Sequence, residues 1–261
     1  MDFFLHILAG ASVGFAIGVT GVGGGSLMTP LLLVFGYPAP VAIGTDLLYA
    51  AITKANGAYA HHKRGNVDWK IVFLLASGSI PVSICLHIFF LDISFQNSPQ
   101  FEELLTKSLG MMLVVTSIIL IFKDYIRKKS IEEIPGFLMI PLHRQRSTIT
   151  WVMGLLLGIC VTLSSVGAGA FGAAILLTIY SQKSVVGIIG TDIAHAVPLT
   201  FIAGLGYLFS GFVDSVLLVS LLIGSLPAIH LGSKVSTKVP DKILQRVLAV
   251  ILFTLGVIYS L

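Results

Sequence analysis

Apolar residues run through this chain in stretches too long for a soluble fold. Six of them, near 40–60, 69–91, 104–122, 184–208, 213–231 and 243–260, each come close to or exceed the ~20 residues that a helix needs to cross a bilayer. Two more, 3–36 and 149–180, are longer than a single span and are interrupted by glycine. A broken helix at membrane depth is tolerated only where protein or a water-filled cavity covers the freed backbone groups. These two stretches therefore predict helical hairpins with tips at Gly21 to Gly25 and Ser164 to Gly169. The composition agrees: 56% of residues are hydrophobic and only 11% charged, with a mean hydropathy of +0.97. The chain reads as an all-α polytopic membrane protein.

The pattern repeats. Residues 44–81 align with residues 190–227 at a constant offset of 146. Gly44-Thr45-Asp46 matches Gly190-Thr191-Asp192, and Gly65, Val67 and Asp68 match Gly211, Val213 and Asp214. Gly78-Ser79-Ile80-Pro81 matches Gly224-Ser225-Leu226-Pro227. A repeat within an apolar chain is the usual mark of a secondary transporter, whose site lies where the repeats meet.

Charge sets the expected topology. Loop 61–70 is basic, whereas its repeat mate 207–214 holds Asp214 and neither Lys nor Arg. Loop 91–103 is acidic, whereas its mate 232–242 has three lysines. The positive-inside rule then puts equivalent loops on opposite sides of the membrane. Inversion needs an odd number of crossings per half, and three spans follow each glycine break. The expected fold is thus two inverted repeats, 1–122 and 149–261, each a glycine-broken re-entrant hairpin plus three transmembrane helices. Residues 123–148 form a cytoplasmic linker and both termini lie outside. The rival topology, eight full spans in two parallel halves, would put a basic loop on the wrong side. The net charge of +4 comes from these loops and does not point to nucleic acid. Met1 to Thr20 lacks the basic start of a cleaved signal peptide, and Cys85 and Cys160 suggest neither a disulfide framework nor a metal cluster.

Several side chains could carry chemistry. The run Gly21-Val22-Gly23-Gly24-Gly25-Ser26 lets backbone N–H groups converge at the start of a short helix, which suits an oxyanion. Ser164-Ser165-Val166-Gly167-Ala168-Gly169 is its softer counterpart, and close packing through small residues is the alternative for both. Asp46 and Asp192 lie about two turns into their spans, where a carboxylate is costly and hence a candidate proton carrier or organiser of polar groups. Thr45 and Thr191 are candidate hydroxyl donors. Lys54 sits near the middle of its span at a cost of about 3 kcal/mol, as an anion ligand or a counter-charge to Asp46 or Asp192. Asn56 could add a donor. His195, three residues after Asp192, could join a proton relay. His61-His62 beside Lys63-Arg64 reads as an interfacial anchor rather than a metal site, as do Lys107 and Arg246. Neither metal nor cofactor is expected.

The glycine run followed by Ser26-Leu27-Met28-Thr29-Pro30-Leu31-Leu32-Leu33, then Gly44-Thr45-Asp46-Leu47-Leu48, then His61-His62-Lys63-Arg64-Gly65-Asn66-Val67-Asp68-Trp69, resembles the sulfite exporter TauE/SafE family, in the toluene-sulfonate uptake permease group. The resemblance covers essentially the whole chain. It implies a permease of the bacterial inner membrane for sulfite, sulfonates or related organosulfur anions. It also implies that Gly23, Gly24, Gly25 and Ser26, with Thr45 and Thr191, face the transport site; Ser165, Gly167 and Gly169, in the softer counterpart of the glycine run, are candidate ligands beside them. Many members carry serine where this chain has Asp46 and Asp192, and a fuller glycine run at Gly167-Ala168-Gly169. A carboxylate there would repel a dianion unless Lys54 or a proton compensates, which favours proton coupling. The expected partners are a small anion and the lipid bilayer, with homo-oligomerisation left open. An anion channel-like pore and a non-transporting membrane subunit are the competing readings. An intramembrane protease built on Ser26 with His61 or His195 lacks a Gly-x-Ser-x-Gly elbow.

Overall fold

The computed structural model describes residues 2–20, 27–90, 93–96, 98–132, 145–235 and 241–260, and among them every regular element is helical. In chain order these are α1 (Asp2–Thr20), α2 (Met28–Val34), α3 (Ala39–Lys63), α4 (Trp69–Phe89), α5 (Ile93–Gln96), α6 (Pro99–Glu132), α7 (Arg146–Ser164), α8 (Ala170–Ile179), α9 (Val185–Phe209), α10 (Ser215–Val235) and α11 (Asp241–Ser260).

The repeated Gly-x-Val-Asp segment is a turn built twice. Gly65 and Gly211 have φ of +71° and +79°, a conformation that favours glycine just past a helix end. The N–H of Asn66 then returns to His61 O, and that of Phe212 to Tyr207 O, both at 2.9 Å. The aspartate caps the next helix. Asp68 Oδ1 accepts from the N–H of Lys70 at 3.0 Å and of Ile71 at 3.4 Å. Asp214 Oδ1 accepts from Val216 and Leu217, both at 2.9 Å.

Four helix pairs make the bundle: α1 with α10, α4 with α7, α3 with α9, and α6 with α11. The first two run parallel and are joined through glycine. A Cβ added at Gly10 would meet Leu221 O at 2.3 Å, and one at Gly14 would meet Ser225 O at 2.6 Å. Likewise a Cβ at Gly154 would meet Leu75 O at 2.4 Å, and one at Gly158 would meet Ser79 O at 2.6 Å. Such small-residue seams let backbones touch where lipid removes any hydrophobic drive between helices. The central pair runs antiparallel: Gly44, early in α3, lies under Tyr207 late in α9, while Gly190, early in α9, lies against His61 late in α3. The buried core fills the space between α3, α4, α7 and α9, around Leu47, Leu75, Leu157 and Leu199. Large apolar side chains such as Phe4, Phe73, Phe209 and Val250 face outward, as lipid contact requires.

Each glycine-broken stretch ends beside its own beginning. His6 Nε2 lies 3.0 Å from Tyr37 Oη, and Thr150 Oγ1 lies 2.9 Å from Tyr180 Oη, where the Arg146 guanidinium also sits 5.7 Å from the Tyr180 ring centroid. The arms are unequal. α1 and α7 have 19 residues each, but α2 has 7 and α8 has 10.

Among the described residues, five helical segments can cross a membrane by length and composition: Trp69–Phe89, Pro99–Phe122, Arg146–Ser164, Val185–Phe209 and Ser215–Val235. α3 falls short of that measure because it carries Asp46 and Lys54, and the apolar part of α11, Arg246–Ser260, is short. The sequence treats 149–180 as one re-entrant unit, yet its first arm alone is long enough to span. α6 continues as helix to Glu132, past Phe122 where its span candidate ends, since residues 123–132 include no glycine or proline to end it.

The two ends of the bundle differ in charge. Loop 64–70 meets Lys183 at one end, where Lys183 Nζ bridges Asp68 Oδ2 at 2.7 Å. Arg146 lies there beside Tyr180. At the other end lie Asp214 and Glu102, whose Oε1 accepts from the N–H of Ala39 at 3.4 Å. These are called the basic and the acidic face below.

Replacing Gly224, whose added Cβ would fall 2.0 Å from Ile7 O, by alanine must push α1 off α10. Gly224→Ala should lower stability by about 1–3 kcal/mol, read as a fall in the thermal midpoint of the purified protein. Gly57→Ala, whose nearest contact is 3.8 Å away, should leave it unchanged or raise it.

Candidate functional site

Three charged side chains meet where the halves join. Asp46 and Lys54 come from α3 and Asp192 from α9, and they are 0%, 6% and 1% exposed. All three are enclosed by protein, so the groups packed around them must support their charge.

The loop between α7 and α8 threads this group. Ser165, which ends α7 in a left-handed conformation (φ 57°), turns its hydroxyl to Asp46. Three residues on, Ala168 O accepts from Lys54 Nζ at 3.1 Å. The next N–H, that of Gly169, faces the carboxylate of Asp192. Gly167 and Gly169 have φ of +122° and +133°. Without glycine there, this loop could not present a hydroxyl, a carbonyl and an N–H in five residues. The first turn of α8 then lies on Asp192, because a Cβ at Gly172 would fall 2.2 Å from its Oδ1.

Asp46 has an analogous neighbour at the start of α2. Thr29 Oγ1 donates to Asp46 Oδ2 at 2.5 Å. Each aspartate therefore faces the start of the short helix in its own half, which carries partial positive charge. Asp46 Oδ1 and Asp192 Oδ1 remain buried with no hydrogen-bond partner among the described residues, as does Ser165 Oγ. Buried acceptors of this kind are costly, and in a site they are the places left for a proton or ligand.

The polar side chains around the charged group follow the repeat. His195 Nε2 lies 2.8 Å from Ser79 Oγ. At the equivalent place Tyr49 turns its hydroxyl toward Ser225, and both pairs are related by the offset of 146. Lys54 has no such counterpart: its mate is Thr200, whose hydroxyl donates to Ala196 O at 2.8 Å. The single cation makes an otherwise symmetric site unequal.

The sequence-predicted residues divide. Asp46, Lys54, Ser165, Gly167, Gly169, Asp192 and His195 are brought together or shape the loop that joins them. Gly23, Gly24, Gly25 and Ser26 lie outside the described residues. Asn56 is exposed, about 200° around α3 from Lys54, and so is not gathered with it. Thr45 and Thr191 are buried beside the aspartates, but their hydroxyls accept from the N–H of the opposite half's capping aspartate. Asp214 N donates to Thr45 Oγ1 at 3.3 Å, and Asp68 N donates to Thr191 Oγ1 at 2.9 Å. These hydroxyls hold loops in place. Thr29, Tyr49, Ser79, Gly172 and Ser225 were not singled out. Ser79 and Ser225 already stand in the repeat as Gly-Ser pairs, and the same offset of 146 sets Tyr49 at the position of His195.

A polar vestibule of about 610 Å³ opens on the basic face, lined by Asn66, Asp68, Lys70, Lys183, Ser184 and Thr191 among others. Its floor is one residue from Asp192. Partial burial pushes the Asp68 carboxyl up, but the Lys183 ammonium and the first N–H groups of α4 outweigh this and hold it below the usual carboxylate range. On the acidic face the same route is filled by aromatic rings. Phe90 and Phe95 both pack on Phe101, with centroids 5.1 and 5.6 Å away, and Phe101 meets Phe212 at 5.9 Å.

An all-helical polytopic chain with charged groups enclosed between two related halves is a membrane transporter by class. The chain belongs to the sulfite exporter TauE/SafE family, which it matches over residues 6–259. It is 36% identical to the "Probable membrane transporter protein YjnA" of Bacillus subtilis over 96% of both chains. It is 30% identical to YdhB of the same organism, over 92% of this chain and 93% of that one. A protein of Methanocaldococcus jannaschii, "Probable membrane transporter protein MJ0441", is 29% identical over 97% of this chain and 93% of its own. No solved structure matches.

Thr191→Val keeps the volume of the side chain but strands the N–H of Asp68. It should lower thermal stability by about 1–3 kcal/mol, whereas Thr191→Ser should retain the wild-type midpoint.

Proposed function

We propose that this chain is a proton-coupled permease for sulfite, a sulfonate or a related organosulfur anion, working by alternating access in the bacterial inner membrane. In this reading its halves are inverted repeats, each a re-entrant hairpin followed by three spans. The basic face is cytoplasmic and both termini lie outside.

The observation that carries the reading is one buried lysine between two buried aspartates of opposite halves. With both carboxylates ionised, the group has a net charge of −1 and repels an anion. One proton makes it neutral, and a second makes it +1, matched to a monoanion. Binding of the anion and of protons is then obligatorily linked, because neither charge alone is tolerated at that depth. Lys54 is the anion's counter-charge, Asp46 and Asp192 carry the protons, and the Ser165 hydroxyl with the Gly167 and Gly169 turn orients the ligand. The inverted arrangement is supported by the antiparallel α3 and α9, by the return of each broken stretch to its own start, and by the segregation of charge between faces.

Burial of all three groups favours a carrier over a continuously open pore. A carrier must pass through a state in which the site is closed to both sides, and its flux saturates.

The test is uptake of labelled sulfite and a panel of small sulfonates into proteoliposomes, with and without an imposed pH gradient. Wild-type flux should saturate and follow the gradient. Lys54→Gln should lower it at least tenfold, and Asp46→Asn should remove its dependence on the gradient. Gradient-indifferent flux in the wild type would make Asp46 a structural residue. Flux that never saturates would assign the protein to pores.

A further inference from the structure

We propose that α4 carries a proton path from the central site to the acidic face, through His195, Ser79, Ser83 and His87, and that only one half of the molecule has it. The inference rests on the proton-coupled reading above and adds the route by which the proton arrives.

Ser79, Ser83 and His87 recur every four residues and so share one face of α4. Ser79 and Ser83 are fully buried. At the inner end, Ser79 Oγ lies 2.8 Å from His195 Nε2. His195 is on the same face of α9 as Asp192, three residues earlier. Its other nitrogen, Nδ1, is buried without a partner among the described residues. One turn along α4, Ser83 Oγ accepts from Thr162 Oγ1 at 2.9 Å. The carbonyl of Thr162 in turn accepts from Tyr207 Oη at 3.0 Å. At the outer end, His87 stands edge-on to Tyr207, with centroids 5.2 Å apart and planes at 90°. His87 Nε2 is again buried with no well-formed hydrogen bond among the described residues, and its ring faces the backbone of Ala203. His87 lies in the last turn of α4, which closes at Phe89 on the acidic face.

Successive members are about 5–6 Å apart along the helix, a gap that one water closes. A hydroxyl accepts one proton as it passes on its own, so a proton moves along the line without leaving charge on any serine. The charged groups facing the line are Asp192 and Lys54, both at its inner end. At the outer end Tyr207 is the titratable neighbour of His87.

The aromatic rings at Phe90, Phe95, Phe101 and Phe212 close the acidic face to an anion, and this line offers protons a way past them. The other half does not reproduce it. The mates of Ser79, Ser83 and His87 are Ser225, Ile229 and Ser233, and that of His195 is Tyr49. Ile229 puts hydrocarbon where Ser83 stands, and Ser233 cannot take up a proton as histidine does.

The experiment measures two rates on the same proteoliposomes with labelled sulfite: uptake driven by a pH gradient, with internal pH followed by a trapped dye, and exchange at equal pH on both sides. Ser83→Val and His87→Gln should each lower gradient-driven sulfite uptake and the accompanying proton entry at least tenfold, with exchange within twofold of wild type. Ser83→Thr should restore the driven rate, and Ser233→Val should leave both rates unchanged. Path variants that keep wild-type driven uptake would overturn the proposal. Loss of exchange and driven uptake together in Ser83→Val and His87→Gln would also overturn it, assigning the hydroxyl line to packing. A wild type whose sulfite exchange is robust but indifferent to pH would remove the proton-coupled reading itself, and one that moves no sulfite would remove the assigned substrate and the inference with it.

Discussion

An ammonium group held at bilayer depth fixes what may surround it. Removing such a charge from water costs several kcal/mol even after relaxation, and Lys54 is 6% exposed. The ammonium must therefore have a strong acceptor and opposite charge within reach, and no lipid can supply either. Ala168 O provides the acceptor at 3.1 Å, while Asp46 and Asp192 provide the charge. That demand brings the α7–α8 loop to the middle of the molecule. Gly167 and Gly169 follow from the turn that delivers the carbonyl, and Gly172 from the approach of α8 to Asp192. Much of the local sequence is thus explained by one cation.

The same demand explains why the halves interlock rather than merely touch. Asp46 takes a hydroxyl from Thr29 in its own half and faces Ser165 from the other, and Lys54 bonds only across the interface. Outside the charged centre the exchange is repeated in neutral form. Thr45 holds the turn before α10 and Thr191 holds the turn before α4, each by accepting an N–H from the opposite half. The halves share both their charged and their uncharged polar bonds, so neither could fold around its own site alone.

Much of this was legible in the sequence, for definite reasons. Asp46, Lys54, Asp192 and His195 stood out because polar groups are expensive in apolar runs, and expense is visible without a structure. The breaks at Ser164 to Gly169 were visible because glycine is the residue that backbone strain selects. What the sequence could not show is direction. Thr45 and Thr191 looked like ligand donors because they precede the aspartates, but a hydroxyl accepts as readily as it donates, and theirs are taken by a loop more than 100 residues away. Asn56 looked close to Lys54 along the chain, yet helical rotation puts it on an outer face. α6 outlasts its membrane span by ten residues, because loss of hydropathy marks where the membrane stops, not where the helix does.

The seams constrain how such a site could change its exposure. α1 with α10, and α4 with α7, each join a helix of one half to a helix of the other through backbone contacts that admit no Cβ. Sliding one half past the other would shear both seams and lose their dispersion contacts together, and lipid offers no compensating gain. Rigid-body exchange between halves is therefore the expensive motion. The cheaper ones lie where the backbone is already interrupted: at the Ser164 to Gly169 turn, and at Pro81, Pro198 and Pro227, each of which removes one helical bond from α4, α9 and α10. Two of those prolines, Pro81 and Pro227, are repeat mates two residues after Ser79 and Ser225, which face His195 and Tyr49. Bending there would also move the Ser79 and Ser225 carbonyls that meet Gly158 and Gly14, so the seams and the hydroxyls beside His195 and Tyr49 shift together. Of the charged residues, Asp192 shares α9 with the joint at Pro198, and Lys54 is bonded to the Ser164 to Gly169 turn itself.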